Sequence, residues 1–409
     1  MQYNLKELPN GIRIVHQEIT HTRLVHSGFI MNIGSRDESK EEEGLAHFWE
    51  HMVFKGTKKR KSFHILNRLE SLGGELNAYT TKEKICFYAS VLGVHFDKAA
   101  ELLCDITFNS TFPQKQLEKE RQVILEEMSM YSDSPEDSIQ DDFDAMVFEG
   151  HALGRNILGR EETVKNFEQA HLFDFVSSRL DTHKIVFSVV GNISFKKVLQ
   201  QVEGYLSAIP EKRSLYVRNG FTTYQPKSKV IEKEISQALF AMGKPTFSLY
   251  DPRRFKLFLL NNILGGPSMN SRLNLALREK HGYVYSVEST YSAYSDTGFF
   301  GIFYGTEENT SKKALKIVLN EMHKLRTQKL GTMQLHMAKE QVIGQMAMAE
   351  ENYASLMLIF GKNLIDKGYI DALDIIFGII RNTTAEELLE ISNEVFAQDE
   401  LSFLTYLPK

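Results

Sequence analysis

The sequence predicts an α+β protein with two domains of related fold. Its 409 residues exceed one typical hydrophobic core and suit two domains of roughly 200 residues each. Strand-like stretches and amphipathic helical stretches are mixed through the first half of the chain. Short words of the first half also recur in the second half in the same order, as expected of a duplicated domain.

The composition is that of an ordinary folded protein. Hydrophobic residues make up 42% and charged residues 25% of the chain, so we expect a real core. The net charge of -5 gives no support for nucleic-acid binding. No run approaches about 18 apolar residues, so we expect no membrane span. The two cysteines, Cys86 and Cys104, argue against a disulfide framework and suit core positions in a reducing compartment.

The N-terminal stretch favours a cytoplasmic location. Met1 leads into QYNLKELPNGIRIV, which lacks the apolar run of a secretory signal peptide. A leader removed upstream of this sequence would leave the same residues, so the prediction concerns only the stretch that is present.

The first half reads as an ordered series of strands and helices. Residues 12–18 and 24–33 have the pattern of strands, and a polar loop follows them. Residues 45–55 form a mostly apolar helix bounded by Gly44 and Gly56. The same criteria predict further helices at 62–74, 95–109, 114–131, 162–179 and 195–208, and strands at 75–80, 84–92 and 184–192.

The repeated words indicate where one domain ends and the next begins. ICFYAS at 85–90 matches GIFYGT at 301–306, and KERQVI at 119–124 matches AKEQVI at 338–343. Chance similarity between short apolar words is the alternative explanation. Pro210 opens a polar run that looks like a linker. We therefore predict an N-terminal domain at 1–210, a linker at 211–227 and a C-terminal domain at 228–409.

The stretch HFWEH at 47–51 places three functional groups in an otherwise apolar helix. Residues four apart share a helix face, so His47 and His51 project together with Glu50 beside them. Two imidazoles at this spacing can share one Zn²⁺, and H-x-x-E-H is a metallopeptidase signature. Glu50 could then take a proton from a zinc-bound water whose pKa is lowered to about 7. Two ordinary half-buried histidines are the alternative explanation of the spacing alone.

The helix predicted at 114–131 offers the further carboxylates that a zinc site needs. A catalytic zinc takes three protein ligands and keeps one open position. Glu120 and Glu127 lie two helical turns apart and so share a face. We predict Glu127 as the third ligand and Glu120 as a partner that orients a histidine. Without HFWEH, the simpler interpretation of these residues is surface charge on an acidic helix.

Together these motifs resemble those of the pitrilysin or inverzincin peptidases, a family that includes mitochondrial processing peptidase and insulin-degrading enzyme. The family pattern is H-x-x-E-H followed by E-R-x-x-I-x-x-E, and this chain has HFWEH and then ERQVILEE. GSRDE at 34–38, GGELNAYT at 73–80 and the stretch LGGPSMNSRLNLALREKHGYVYSV at 264–287 also match, so the resemblance spans most of the chain. Pro267 stands where the family usually has a third glycine, in a loop without an assigned catalytic residue.

The resemblance implies a metal site in the first half alone. His47, His51 and Glu127 would bind one Zn²⁺ per chain, Glu50 would be the general base, and Glu120 would support the site. Family members of this length carry two homologous α/β domains, each with a mostly antiparallel sheet packed by helices. Two such chains enclose a chamber like the halves of a clamshell, so the partner would be a second copy or a paralogue.

The resemblance also implies substrate-binding residues. Asn77 and Ala78 match an edge strand that binds a peptide as an added strand through backbone hydrogen bonds. A plain interior strand is the alternative. Arg278 and Tyr285 match a paired arginine and tyrosine that donate to the substrate backbone or to the developing oxyanion. An ion pair of Arg278 with Glu279 is the alternative for that arginine.

Two functional hypotheses follow. The favoured one is a zinc endopeptidase that cleaves peptides or unfolded polypeptides inside a chamber, with a Glu-activated, zinc-bound water as the nucleophile. The competing one is a non-catalytic subunit that acts as a partner or scaffold for a catalytic paralogue. Subunits of that kind have usually lost metal ligands, whereas all the motif residues are present here. A dehydrogenase or kinase is not indicated, because no G-x-G-x-x-G or P-loop follows a strand.

Overall fold

A computed structural model describes residues 3–409 and divides them into two compact units, each built on one β-sheet. The first unit comprises residues up to Ser129, Arg155–Arg218 and Met348–Asp371. The second comprises Met130–Gly154, Asn219–Ala347 and Ala372–Lys409.

The first unit contains a six-stranded sheet in the order β1-β2-β6-β3-β5-β4. Its strands are β1 (Asn4–Glu7), β2 (Arg13–Glu18), β3 (Leu24–Met31), β4 (Glu75–Thr80), β5 (Ile85–Leu92) and β6 (Ile185–Gly191). Every neighbouring pair is antiparallel except β2 and β6, which run parallel. The prediction of a mostly antiparallel sheet is confirmed, although β1 was not predicted from the sequence.

The second unit contains a five-stranded sheet in the order β7-β11-β8-β10-β9. Its strands are β7 (Ser228–Lys233), β8 (Ala238–Thr246), β9 (Val287–Ala293), β10 (Gly298–Thr306) and β11 (Ser402–Pro408). Here too a single pair, β7 with β11, runs parallel. The order β2-β6-β3-β5-β4 of the first sheet corresponds strand by strand to this one. The matching words ICFYAS and GIFYGT lie on the corresponding strands β5 and β10, as a duplicated domain requires.

Five of the six helices predicted in the first half are present, and the structure adds one at Pro135–Val147 that was not predicted. The helices of residues 3–409 are α1 (Leu45–Met52), α2 (Ser62–Glu70), α3 (Phe96–Phe108), α4 (Gln114–Ser132), α5 (Pro135–Val147), α6 (Glu161–Asn166), α7 (Gln169–Arg179), α8 (Phe195–Ser207), α9 (Arg254–Gly265), α10 (Ser311–Thr327), α11 (Thr332–Glu350), α12 (Tyr353–Lys367), α13 (Leu373–Asn382) and α14 (Ala385–Val395). Among residues 3–409, none of them combines the length and apolarity needed to cross a bilayer.

The single helix predicted at 162–179 is wrong. The chain is extended at Phe167 and Glu168, which separates α6 from α7. Phe167 is buried, with its ring packed against that of Phe48. Arg121 donates to the backbone carbonyl of Phe167 and so holds the break. Contacts with neighbouring elements impose this interruption. The helical periodicity of the sequence continues across it and gives no sign of a break.

Two helices belong to the unit that their sequence position does not suggest. α12 packs on the first sheet, where Phe360 shares a buried cluster with Ile30. A Cβ at Gly361 would lie 2.4 Å from Cδ1 of Ile30, so this close approach needs glycine. Conversely, α5 packs on the second sheet, with Phe143 against Phe299. Compared with the predicted ranges 1–210 and 228–409, the compact units exchange residues 130–154 and 348–371. The predicted ranges themselves stay a prediction about the duplication along the chain.

Helix α1 is embedded in the first unit by its apolar side chains. Leu45, Phe48, Trp49 and Met52 are fully buried, and Trp49 packs against Phe87 of β5 with ring centroids 5.4 Å apart. This packing fixes which face of α1 is directed away from the core. The three functional groups of HFWEH lie on α1 and are carried by it.

Candidate active site

The face of α1 that is directed away from the core carries His47, Glu50 and His51, the three groups that the sequence predicts. His47 is buried, and Glu50 and His51 are partly buried. The two imidazole rings lie 4.7 Å apart between centroids, as expected for residues one helical turn apart. The local geometry therefore agrees with the spacing argument.

Helix α4 brings Glu127 to this face of α1. Its Oε2 lies 3.4 Å from Nε2 of His51 and 3.8 Å from Nε2 of His47. One ligand atom from each of the three residues lies within 4.8 Å of the others, and no second such group occurs in the described residues. Donors around a tetrahedral zinc stand roughly 3.3–3.6 Å apart, given bonds of about 2.0–2.2 Å. The three residues therefore fit one zinc ion with small side-chain adjustments.

Glu120 and Lys55 form a chain of contacts behind His51. The Nδ1 atom of His51 lies 3.2 Å from Oε2 of Glu120, and Nζ of Lys55 donates to Oε1 of Glu120 at 2.6 Å. Glu120 thus lies where the sequence predicted an orienting partner. Lys55 was missed. The available signal was its position four residues after His51, at the end of the helix predicted at 45–55, although α1 ends at Met52 in the structure.

The edge strand β4 lies beside α1. Asn77 and Ala78 are on β4, which ends the sheet and pairs with β5 through Tyr88 and Phe87. Asn77 is exposed, while Ala78 packs on the core. β4 is thus an edge strand and not an interior one, with backbone groups available on its outer side. Its role in substrate binding stays a prediction.

Arg278 and Tyr285 both belong to the second unit. Arg278 lies in a π-helical turn, Asn274–Glu279, and Tyr285 is 86% exposed. The guanidinium lies 5.9 Å from the Tyr285 ring centroid, and its Nε lies 3.8 Å from Oε1 of Glu279. Arg278 therefore makes loose contacts with both Tyr285 and Glu279. The roles of Arg278 and Tyr285 in substrate binding stay predictions.

Comparison with known proteins assigns the family. Residues 13–161 match the family model described as insulinase, peptidase family M16, and residues 166–342 match the model described as the peptidase M16 inactive domain. A Bacillus subtilis protein named uncharacterized zinc protease YmxG is 33% identical over 396 residues, which is 95% of each chain. This chain belongs to peptidase family M16. A Rickettsia felis protein named as an uncharacterized zinc protease is also 33% identical over 399 residues, covering 97% of the M16 chain and 95% of the relative.

Solved structures share the M16 fold along the whole chain. A protease from Helicobacter pylori has a TM-score of 0.92 at 20% identity and covers 100% of both chains. A structure described as the peptidase M16 inactive domain from Pseudomonas fluorescens has a TM-score of 0.93 at 18% identity and covers 100% of this chain and 98% of its own. The predicted family and fold class are thus confirmed. The residues of the His47, His51 and Glu127 cluster all lie within the part matched by the insulinase model.

The surroundings of His47 and His51 shift their pKa values in opposite directions. Burial, and then repulsion by His51, lower the pKa of His47 to about 4. Burial would also lower the pKa of His51, but hydrogen bonds to Glu120 and Glu127 outweigh it and raise that pKa to about 9. At neutral pH, the imidazole of His51 is therefore protonated and positively charged, with the carboxylates of Glu120 and Glu127 on either side. A metal ion at this position would have to displace that proton.

The environment of Glu50, the candidate base, shifts the pKa of its carboxyl group. Burial raises the pKa of its carboxyl group, and hydrogen bonds from Thr80 and the charge of His51 oppose that shift. A carboxylate with a raised pKa accepts a proton more readily near neutral pH. Thr80 is the last residue of β4, so the same contact connects the candidate base to the edge strand.

Proposed function

We propose that this M16 chain is a zinc-dependent endopeptidase that hydrolyses peptides or unfolded polypeptides. The observation that carries the proposal is the convergence of His47, His51 and Glu127, whose ligand atoms lie within 4.8 Å of one another. Glu50 stands on the same helix, between the two histidines in sequence. Three protein ligands with an adjacent carboxylate are the set that a hydrolytic zinc centre uses.

The residues of the chain divide the chemistry between them. His47, His51 and Glu127 would hold the ion, and Glu120 orients His51 through Nδ1. Bound zinc would supply a Lewis acid that lowers the pKa of water and polarises the scissile carbonyl. Glu50 accepts the proton from the attacking water and returns it to the leaving amine.

The edge strand β4 supports a broad substrate range. An extended peptide added to β4 would be held by backbone hydrogen bonds, which do not depend on the peptide's side chains. Asn77 and Ala78 would provide these backbone groups beside the candidate base. Arg278 and Tyr285 are proposed as additional donors to the substrate backbone or to the oxyanion.

Removal of the metal tests the proposed function. The purified chain is expected to contain about one zinc ion, and stripping with a chelator should abolish cleavage of an unstructured peptide. Added Zn²⁺ should restore cleavage, and added Mg²⁺, which prefers oxygen ligands, should not. Metal content and peptide cleavage by mass spectrometry are the measurements. A chain that retains no zinc and cleaves nothing would instead favour the non-catalytic partner or scaffold.

We also propose that two chains enclose the chamber, either as a homodimer or with a paralogue. The family resemblance supports this proposal. Native mass spectrometry, with and without an M16 paralogue from the same organism, should detect a two-chain species. A monomer with full peptidase activity would contradict the enclosure.

A further inference from the structure

Glu38 holds the start of the helix that carries the candidate metal ligands. Its side chain is buried, with 3% of the residue exposed. Oε2 accepts the backbone N–H of Gly44 at 3.0 Å, and Oε1 accepts that of Ala46 at 2.7 Å. The first N–H groups of a helix have no partner within the helix itself. Glu38 therefore provides the N-terminal cap of α1 from six residues upstream.

Gly44 cannot provide this cap itself. It occupies the N-cap position with φ 98° and ψ −2°, a left-handed conformation that favours glycine. A Cβ at this position would lie 2.6 Å from the carbonyl oxygen of Leu158. Serine, threonine, aspartate and asparagine, the usual caps, are thus excluded at residue 44. A carboxylate reaching in from elsewhere is the way that the fold satisfies these N–H groups.

His47 depends on this first turn more than His51 does. It directly follows Ala46, and its buried Nδ1 has no hydrogen-bond partner within the described residues. By contrast, Nδ1 of His51 is oriented by Glu120. The position of the His47 ring therefore depends on the helix backbone and on packing. α1 has only eight residues, so a disturbed first turn is close to every functional group on it.

The segment that carries Glu38 is itself rigidly held. Nη1 of Arg155 donates to the backbone carbonyl of Glu38 at 2.6 Å, and Nε of Arg179 donates to that of Asp37 at 3.0 Å. The side chain of Asp37 accepts from Arg218 at 2.7 and 2.8 Å. Three arginines thus fix the backbone on which the capping carboxylate stands. Glu38 can therefore serve as a fixed anchor for α1.

We propose that Glu38 is a positioning residue for the zinc ligand His47, because it fixes the first turn of α1. This inference rests on the proposed function, since it takes His47 as a ligand. Without the carboxylate, two buried N–H groups would lose their partners, and the turn would shift or open to satisfy them. The position of His47 relative to His51 and Glu127 would then change. His51 would change less, because Glu120 also holds its ring.

The test compares Glu38→Ala with a matched control, Asn10→Ala. Asn10 is also buried and caps a helix end with two hydrogen bonds, from Nδ2 to the carbonyls of Leu206 and Ile209 at 2.8 Å. That helix, α8, carries no candidate site residue. Both variants should lower the melting temperature, but only E38A should weaken zinc affinity, by roughly 10–100-fold. Zinc affinity is measured by competition with a chromophoric chelator, and the visible spectrum of the Co²⁺ form reports ligand geometry.

A second readout needs no metal. Hydrogen exchange of the amides at 44–47 in the metal-free chain should accelerate in E38A and stay unchanged in N10A. E38Q keeps one acceptor oxygen and should fall between E38A and the unmutated chain, which keeps the test decisive if E38A does not fold. Wild-type zinc affinity in a folded E38A would overturn the positioning role alone. Failure of the unmutated chain to bind zinc would overturn the proposed function instead.

Discussion

Replacing Glu50 with glutamine is expected to lower the turnover of an unstructured peptide by about 10²–10⁴-fold, the usual contribution of a general base. Glutamine keeps the size of the side chain but cannot accept the proton from water. Glu50 is not among the three grouped ligand residues, so E50Q should bind zinc as the unmutated chain does. The measurement is kcat for peptide cleavage, with zinc content determined on the same samples.

Glu126→Gln is the matched control for E50Q. Glu126 is exposed on α4, next to Glu127 in sequence, so its neutralisation changes the net charge equally without touching the site. We expect E126Q to retain both turnover and zinc. Turnover of E50Q equal to that of E126Q would remove Glu50 from the mechanism and leave the metal assignment intact.

Replacing Glu127 with glutamine is expected to weaken zinc binding by roughly 10²–10³-fold. Structural zinc sites release about 10–16 kcal/mol over four ligands, so one ligand corresponds to about 2.5–4 kcal/mol. Glutamine lacks the negative charge and binds zinc poorly. In the metal-free chain, Glu127 also lies 3.4 Å from Nε2 of His51, a contact that glutamine would weaken. Chelator competition at neutral pH gives the affinity.

The two substitutions separate the two roles. E50Q should retain zinc and lose turnover, whereas E127Q should lose both, with turnover partly restored at high zinc concentration. E126Q serves as the control here also. Unaltered zinc affinity in E127Q would mean that another group completes the coordination, and the cluster on α1 and α4 would need a different third ligand.

Several parts of the site could be predicted because they depend on local chain geometry. The spacing of His47 and His51 places both rings on one helix face in any α-helix, whatever surrounds it. The same holds for Glu120 and Glu127 on α4. Their pairing with α1 came from the family motif, because periodicity does not indicate which helices meet.

Other parts could not be predicted, because they depend on contacts between distant segments. Glu38 caps α1 from an irregular loop. Lys55 contacts Glu120, which lies on a different helix, α4. Helix α12 covers a face of the first sheet, and α5 covers a face of the second sheet. No local sequence pattern indicates which sheet a helix will cover. The break at Phe167 follows from burial beside Phe48 and the contact with Arg121.

By itself, the sequence determined the two-domain α+β class, the internal duplication and the grouping of His47, Glu50 and His51 on one helix. These follow from periodicity and order along the chain, which are local properties. The family motif predicted Glu127 and Glu120 beside the two histidines. Only the tertiary structure decided the distances between these groups, the place of Lys55 beside Glu120, and the cap that Glu38 forms on α1. Those contacts arise when separate segments bury their apolar faces together, and burial then leaves each polar group with the partners that the packing brings within reach.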